Sequence, residues 1–145
     1  MNDKCTISVN HSNVKVEENK RKAVFKNSSC SLYRVSKIDD CIITDGVRAD
    51  YLVSKDGVAS VVVELKGKNV QHACDQIFAS ALHEDVKPLL EKRLGFLIVC
   101  SKFPRFDTYV LKAKVRAAKE FKAGFHVVCD QGVFDIENVC SISGK

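Results

Sequence analysis

The chain has 145 residues and a formal net charge of +5, from 23 Lys and Arg against 18 Asp and Glu. Its 46% hydrophobic and 28% charged content is that of one globular domain with a real core, which excludes wholesale disorder. The modest positive charge permits nucleic-acid binding without requiring it.

The opening segment, MNDKCTISVN, has no apolar stretch of signal-peptide length, and no apolar run reaches the length of a bilayer span. Residues 1–28 read as a segment packed on the core. Within it, Val14–Lys26 is dense in charge and fits either a short helix over Glu17–Phe25 or a strand and turn, with the helix favoured for its centre. The core itself is expected over residues 29–138. Ser31–Ile38 suits an edge-like strand, and Cys41–Thr44 a short β run ended by the turn pair Asp45-Gly46. Ala49–Ser54 and Ala59–Lys66 flank Lys55-Asp56-Gly57 and read as a β-hairpin.

Asn69–Leu82 is the clearest helix, with Val70, Ala73, Cys74, Ile77, Phe78 and Ala81 on one face and Asn69 as its cap. A second helix is expected over Asp85–Lys92, with Pro88 in its first turn. Gly95–Ser101 has the length and continuous apolarity of a buried central strand. A helix follows from Asp107 or Thr108 to about Lys122, ended by Gly124. Phe125–Cys129 and Val133–Ile136 complete the core as strands about an Asp130-Gln131-Gly132 turn, and 139–145 form a tail. The order predicts an α/β domain with a mixed central sheet flanked by helices.

The seven cysteines, at 5, 30, 41, 74, 100, 129 and 140, include no CxxC pair, and several sit in apolar runs. They read mainly as packing residues. A disulfide framework or zinc knuckle is not expected, and a reducing cytoplasm is.

One strand carries an anomaly. On Ala59–Lys66, Val61, Val63 and Leu65 share one face, while the other ends in Glu64 and Lys66, which point the same way because strand alternation has period two. Whether Asp50 joins them depends on register. A three-residue loop, Lys55-Asp56-Gly57, pairs Ser54 with Val58 and Asp50 with Val62, so Asp50, Glu64 and Lys66 converge. Two carboxylates there suit a hard cation, Mg²⁺ or Mn²⁺, and a neighbouring lysine suits water activation or charge stabilisation on a phosphate. From spacing alone, a surface ion pair between Glu64 and Lys66 is the simpler reading.

Asp50-Tyr51-Leu52, the hairpin, Val63-Glu64-Leu65-Lys66-Gly67 and a helix bearing Ala73 and Gln76 resemble the PD-(D/E)xK nuclease superfamily over roughly residues 31–129. Ala49 stands where many members have proline. The resemblance implies a restriction-endonuclease-like fold and a Mg²⁺-dependent nuclease. Asp50, Glu64 and the main-chain carbonyl of Leu65 would bind metal, and Lys66 would position the attacking water. Gln76 matches a helix glutamine that some branches place beside the active site; His72, one turn earlier, could contact DNA or face solvent. Members often supply another acidic group from a helix before the sheet, for which Glu18 is the first candidate and Glu17 the second. Asp39 reads as a structural partner for Arg34 or Arg48, and Asp45 as a turn residue.

Projected at 100° per residue, Lys112, Arg116, Lys119 and Lys122 occupy one arc of roughly 120°, interrupted by Val115. That basic face, with Lys102 and Arg105 from the preceding loop, is either a solvated surface or a set of phosphate contacts. Lys114 falls on the apolar side, where it snorkels or points toward a cleft. The expected substrate is DNA in preference to RNA, in restriction, repair or phage defence. Specificity would come from a homodimer or partner protein. The alternatives are a Holliday-junction-resolvase-like enzyme and a non-catalytic nucleic-acid- or protein-binding module.

Overall fold

The computed structural model describes residues 3–67, 69–101 and 108–142, with the side chains of Asp3 and Lys66 outside that description. In chain order the elements are β1 (Thr6–Val9), β2 (Asn13–Glu18), β3 (Arg21–Lys26), β4 (Tyr33–Lys37), β5 (Tyr51–Lys55), β6 (Ala59–Gly67), α1 (Val70–Leu82), β7 (Arg93–Cys100), α2 (Thr108–Phe121), β8 (Gly124–Cys129), β9 (Gln131–Phe134) and α3 (Ile136–Cys140). Six strands form a mixed sheet in the order β1-β4-β5-β6-β7-β8, antiparallel up to β6 and parallel across β6-β7-β8. A second sheet, β2-β3-β9, joins an antiparallel hairpin to a parallel strand. The protein is thus α/β, with mixed sheets and three α-helices among the described residues. No helix among the described residues is long and apolar enough to cross a membrane.

Alternation along the central strands divides the core in two. Leu52, Val62, Phe96 and Ile98 pack under α1 and α2, where Phe78, Phe96 and Phe121 make edge and stacked ring contacts. Val53, Val61, Val63, Leu65, Leu97 and Val99 face the small sheet and α3. Both helices lie on one side because β6-α1-β7 and β7-α2-β8 step across the sheet in the same direction, and crossovers of one hand then cover one face. α1 and α2 therefore flank one side, and the small sheet with the short α3 covers the other.

Several expectations change for local reasons. Val14–Lys26 is a hairpin, not a helix: Val14, Val16, Ala23 and Phe25 are buried at period two, and Asn19 and Lys20 form a two-residue turn with φ of 49° and 68°. Asp85–Lys92 holds only a single 3-10 turn at Lys87–Leu89, after which Glu91 N–H donates to Ser60 Oγ at 2.9 Å. Tyr33–Lys37 is an internal strand, because β1 takes the edge beyond it. Cys41–Thr44 contributes only one bridge, between Asp39 and Ile43.

The second helix is ended by Lys122 at φ 51°, not by Gly124, and Ala123 N–H closes back on the Ala117 carbonyl at 3.0 Å. Gly124 instead opens β8, where a Cβ would stand 2.1 Å from the Val139 carbonyl oxygen. The strands on either side of Asp130 belong to different sheets. Val139 and Cys140 are buried in α3, so the expected tail begins inside a helix. Cys5 and Cys41 are joined in a disulfide, contrary to the expectation of none. Among the described cysteines, Cys74, Cys100 and Cys140 are buried and unbridged, as packing residues should be, whereas Cys30 and Cys129 are exposed.

Candidate metal and nucleic-acid site

The β5–β6 hairpin turns through Asp56-Gly57-Val58, with Gly57 at φ +73° and Val58 N–H bonded to the Lys55 carbonyl at 2.9 Å. Ser54 therefore pairs with Ser60 and Tyr51 with Val63, a shift of two residues from the expected register. A shift of two preserves the face. Continued one step, this register sets Asp50 across from Glu64, a closer opposition than the expected pairing with Val62. Both carboxylates are almost fully buried, at 3% and 2% exposure. Leu65 N–H donates to Asp50 Oδ2 at 2.8 Å, which fixes the carboxylate against the end of β6.

Just beyond Glu64 the pairing of β6 with β7 slips: Glu64 lies opposite Ile98, but Gly67 lies opposite Cys100. This irregularity takes Leu65 and Lys66 out of the regular ladder. Bulges of this kind re-aim side chains and main-chain groups beside functional sites. The main chain of Lys66 is strand; its side chain lies outside the described residues.

The first helix grips the chain immediately before Asp50. Gln76 Nε2 donates to the Arg48 carbonyl at 2.9 Å, and one turn later Ser80 Oγ accepts the Ala49 N–H at 2.7 Å. The Arg48 guanidinium donates to Asp39 at 2.7 Å, Asp40 at 2.8 Å and the Gly46 carbonyl at 2.9 Å. Its pKa is raised, chiefly by the hydrogen bond to Asp39. Asp39, Arg48, Asp50, Glu64, His72 and Gln76 line one cavity of about 460 Å³ with Gly46 and Val47. Sequence reasoning missed the Ser80 contact and the Arg48–Asp40 arm; Arg48 carried a signal in its position two residues before Asp50 on the same strand approach.

The remaining candidates scatter. Glu18 ends β2 on the opposite face of the large sheet, bridged at 3.8 Å to Lys37, whose ammonium lies 5.5 Å from the Tyr51 ring centre. It is not brought to Asp50 and Glu64, because the segment is a strand in the lower layer instead of a helix. Glu17 pairs with Lys15 at 3.4 Å. Lys112 and Lys119 stand exposed on α2, but Arg116 folds back over the Phe78 ring at 4.4 Å and bonds Glu120 at 3.1 Å. Exposed Lys114 borders a smaller cavity of about 260 Å³ with His126, whose pKa is lowered first by burial and then by this lysine. Lys102 and Arg105 lie outside the described residues.

Two opposed, buried carboxylates repel each other when ionised, and a cation between them relieves that repulsion. Their oxygen chemistry fits Mg²⁺ or Mn²⁺. Among the described residues no group of three or more His, Cys, Asp or Glu side chains gathers to hold a metal. The donor set that fits is therefore two carboxylates completed by a main-chain oxygen and water. No protein-family model, curated protein or solved structure matches the chain.

Proposed function

We propose that the protein is a Mg²⁺-dependent nuclease that hydrolyses DNA phosphodiester bonds, built on the restriction-endonuclease-like plan its motif resembles. The observation that carries this reading is the buried opposition of Asp50 and Glu64 in the lining of a cavity, with Lys66 two residues along the same strand. The order β4, β5, β6, α1, β7, α2 agrees with it, since it repeats the element order of the resemblance.

In this reading Asp50 and Glu64 would hold the cation together with the Leu65 carbonyl, and the Leu65 N–H keeps Asp50 from turning away. Magnesium, when bound, supplies Lewis acidity for the phosphoryl oxygen and the attacking water. Lys66 would position that water and offset the negative charge on the phosphoryl oxygens as the bond to the leaving 3′ oxygen breaks. Gln76 acts through the backbone of Arg48 as a positioning residue. Lys112 and Lys119 follow the phosphate backbone, and Lys102 and Arg105 add further phosphate contacts. Sequence specificity rests with a second copy of the chain or a partner protein. A cytoplasmic setting in restriction, repair or phage defence belongs to the same proposal; there the reducing pool would hold Cys5 and Cys41 as thiols.

The test is incubation of supercoiled plasmid, linear duplex, a four-way junction and RNA with Mg²⁺ or Mn²⁺. Wild type should cleave DNA only with metal, and Asp50→Asn and Lys66→Ala should each lose about 100-fold or more in rate. A folded wild type inert on every substrate overturns the enzyme reading. Full activity in Lys66→Ala overturns the assigned site.

A further inference from the structure

The β2–β3 hairpin ends in a run of cations, Lys20, Arg21 and Lys22, that the carboxylate site does not use. Two separate tethers bring this turn to the same end of the large sheet as Asp50 and Glu64. On one side Glu18 bridges to Lys37, which is paired in register with Tyr51, the neighbour of Asp50. On the other, Lys22 N–H donates to the Asp130 carbonyl at 3.1 Å, and Asp130 N–H donates to the Cys100 carbonyl at 2.9 Å. Cys100 is in turn paired with Gly67, the residue after Lys66. The basic turn therefore stands at the same end of the large sheet as the carboxylates, beneath the face opposite the one they occupy.

The local charge is positive. Glu17 and Glu18 are engaged by Lys15 and Lys37, while Lys20 and Lys22 form no ion pair among the described residues. Arg21 Nη1 is tied to the Asn19 carbonyl at 2.7 Å.

We propose that the turn formed by Asn19 and Lys20, with Lys22 at its foot, is a second DNA contact, whose lysines bind backbone phosphates of the duplex lying in the carboxylate site. This rests on the nuclease reading and extends it.

The experiment is fluorescence anisotropy of a labelled duplex, with Ca²⁺ replacing Mg²⁺, over salt from about 0.05 to 0.3 M. Wild type is compared with Lys20→Gly/Lys22→Gln, which relaxes the turn backbone while removing its charge. The control is Lys26→Gln/Lys92→Gln, which removes the same charge at the far ends of β3 and β7. The turn variant should bind about tenfold or more weakly near 0.1 M salt, with a slope of log K against log salt shallower by about 1.8, while the control stays within about twofold. A turn variant that binds no more weakly than the control overturns the inference and leaves the nuclease reading intact. A wild type without salt-dependent DNA binding overturns both.

Discussion

At the scale of single residues, the two hydrogen bonds from α1 to the chain before Asp50 differ in kind. Ser80 and Ala49 are completely buried, so Ser80→Ala leaves the Ala49 N–H without an acceptor where water cannot replace it. That should cost about 1–3 kcal/mol, read from the urea midpoint. Gln76 is only partly buried, and Gln76→Ala should cost less because water can reach the Arg48 carbonyl. Equal losses in the two variants would contradict this account. The carboxylate pair itself was legible in the sequence, since period-two alternation survives an error of two in register. The α1 contacts were not: a serine in an apolar helix face announces a partner only when the segment it docks on is known. Gln76 was noticed for its resemblance to an active-site glutamine, and its observed bond is to main chain.

At the scale of elements, the strong patterns were readable and the charged ones were not. The first helix shows its apolar stripe and cap, and β7 its continuous apolar run. In β2 and β3 the alternation is carried by only Val14, Val16, Ala23 and Phe25 among many charges, too few positions to fix the period before the partner strands are known. The third helix was missed because nothing in Ile136–Cys140 is long enough to show a period; its place is written instead in two glycines. Gly95 and Gly124 lie beneath it, and an added Cβ would meet the Val139 carbonyl oxygen at 2.9 Å and 2.1 Å respectively. Gly124→Ala must push α3 off the sheet or fail to fold, with a loss of about 3 kcal/mol or more. Gly95→Ala should be milder in the same denaturation series, because less displacement relieves its contact. A Gly124→Ala protein as stable as wild type would mean that α3 does not seat as described.

Across the whole molecule, the two-layer arrangement depends on the pairing of β3 with β9, which joins residue 22 to residue 131 and leaves no local trace in the sequence. That pairing and α3 bury a set of ionisable groups in their neutral forms, which gives stability a defined pH window. Burial and then Lys114 lower the pKa of His126 below its ordinary 6.5. The unfolded chain then binds the proton more readily, so stability is complete above about pH 6.5 and declines as pH falls below it. Tyr33 and Cys140 have the opposite sign: burial pushes each to about 12, from 10.0 and 9.0. Their contribution is full below about pH 9 and is lost as pH rises through 9 toward 12, because the unfolded chain releases these protons first. Urea denaturation should therefore show a plateau between about pH 6.5 and 9, with a fall on both sides. Cys140→Ala should delay the alkaline fall toward the range of Tyr33, and His126→Gln should flatten the acid limb above the carboxylate range. Stability that keeps rising beyond pH 9 in wild type would contradict the burial of Cys140 against Ser60 and the seating of α3 on the central strands.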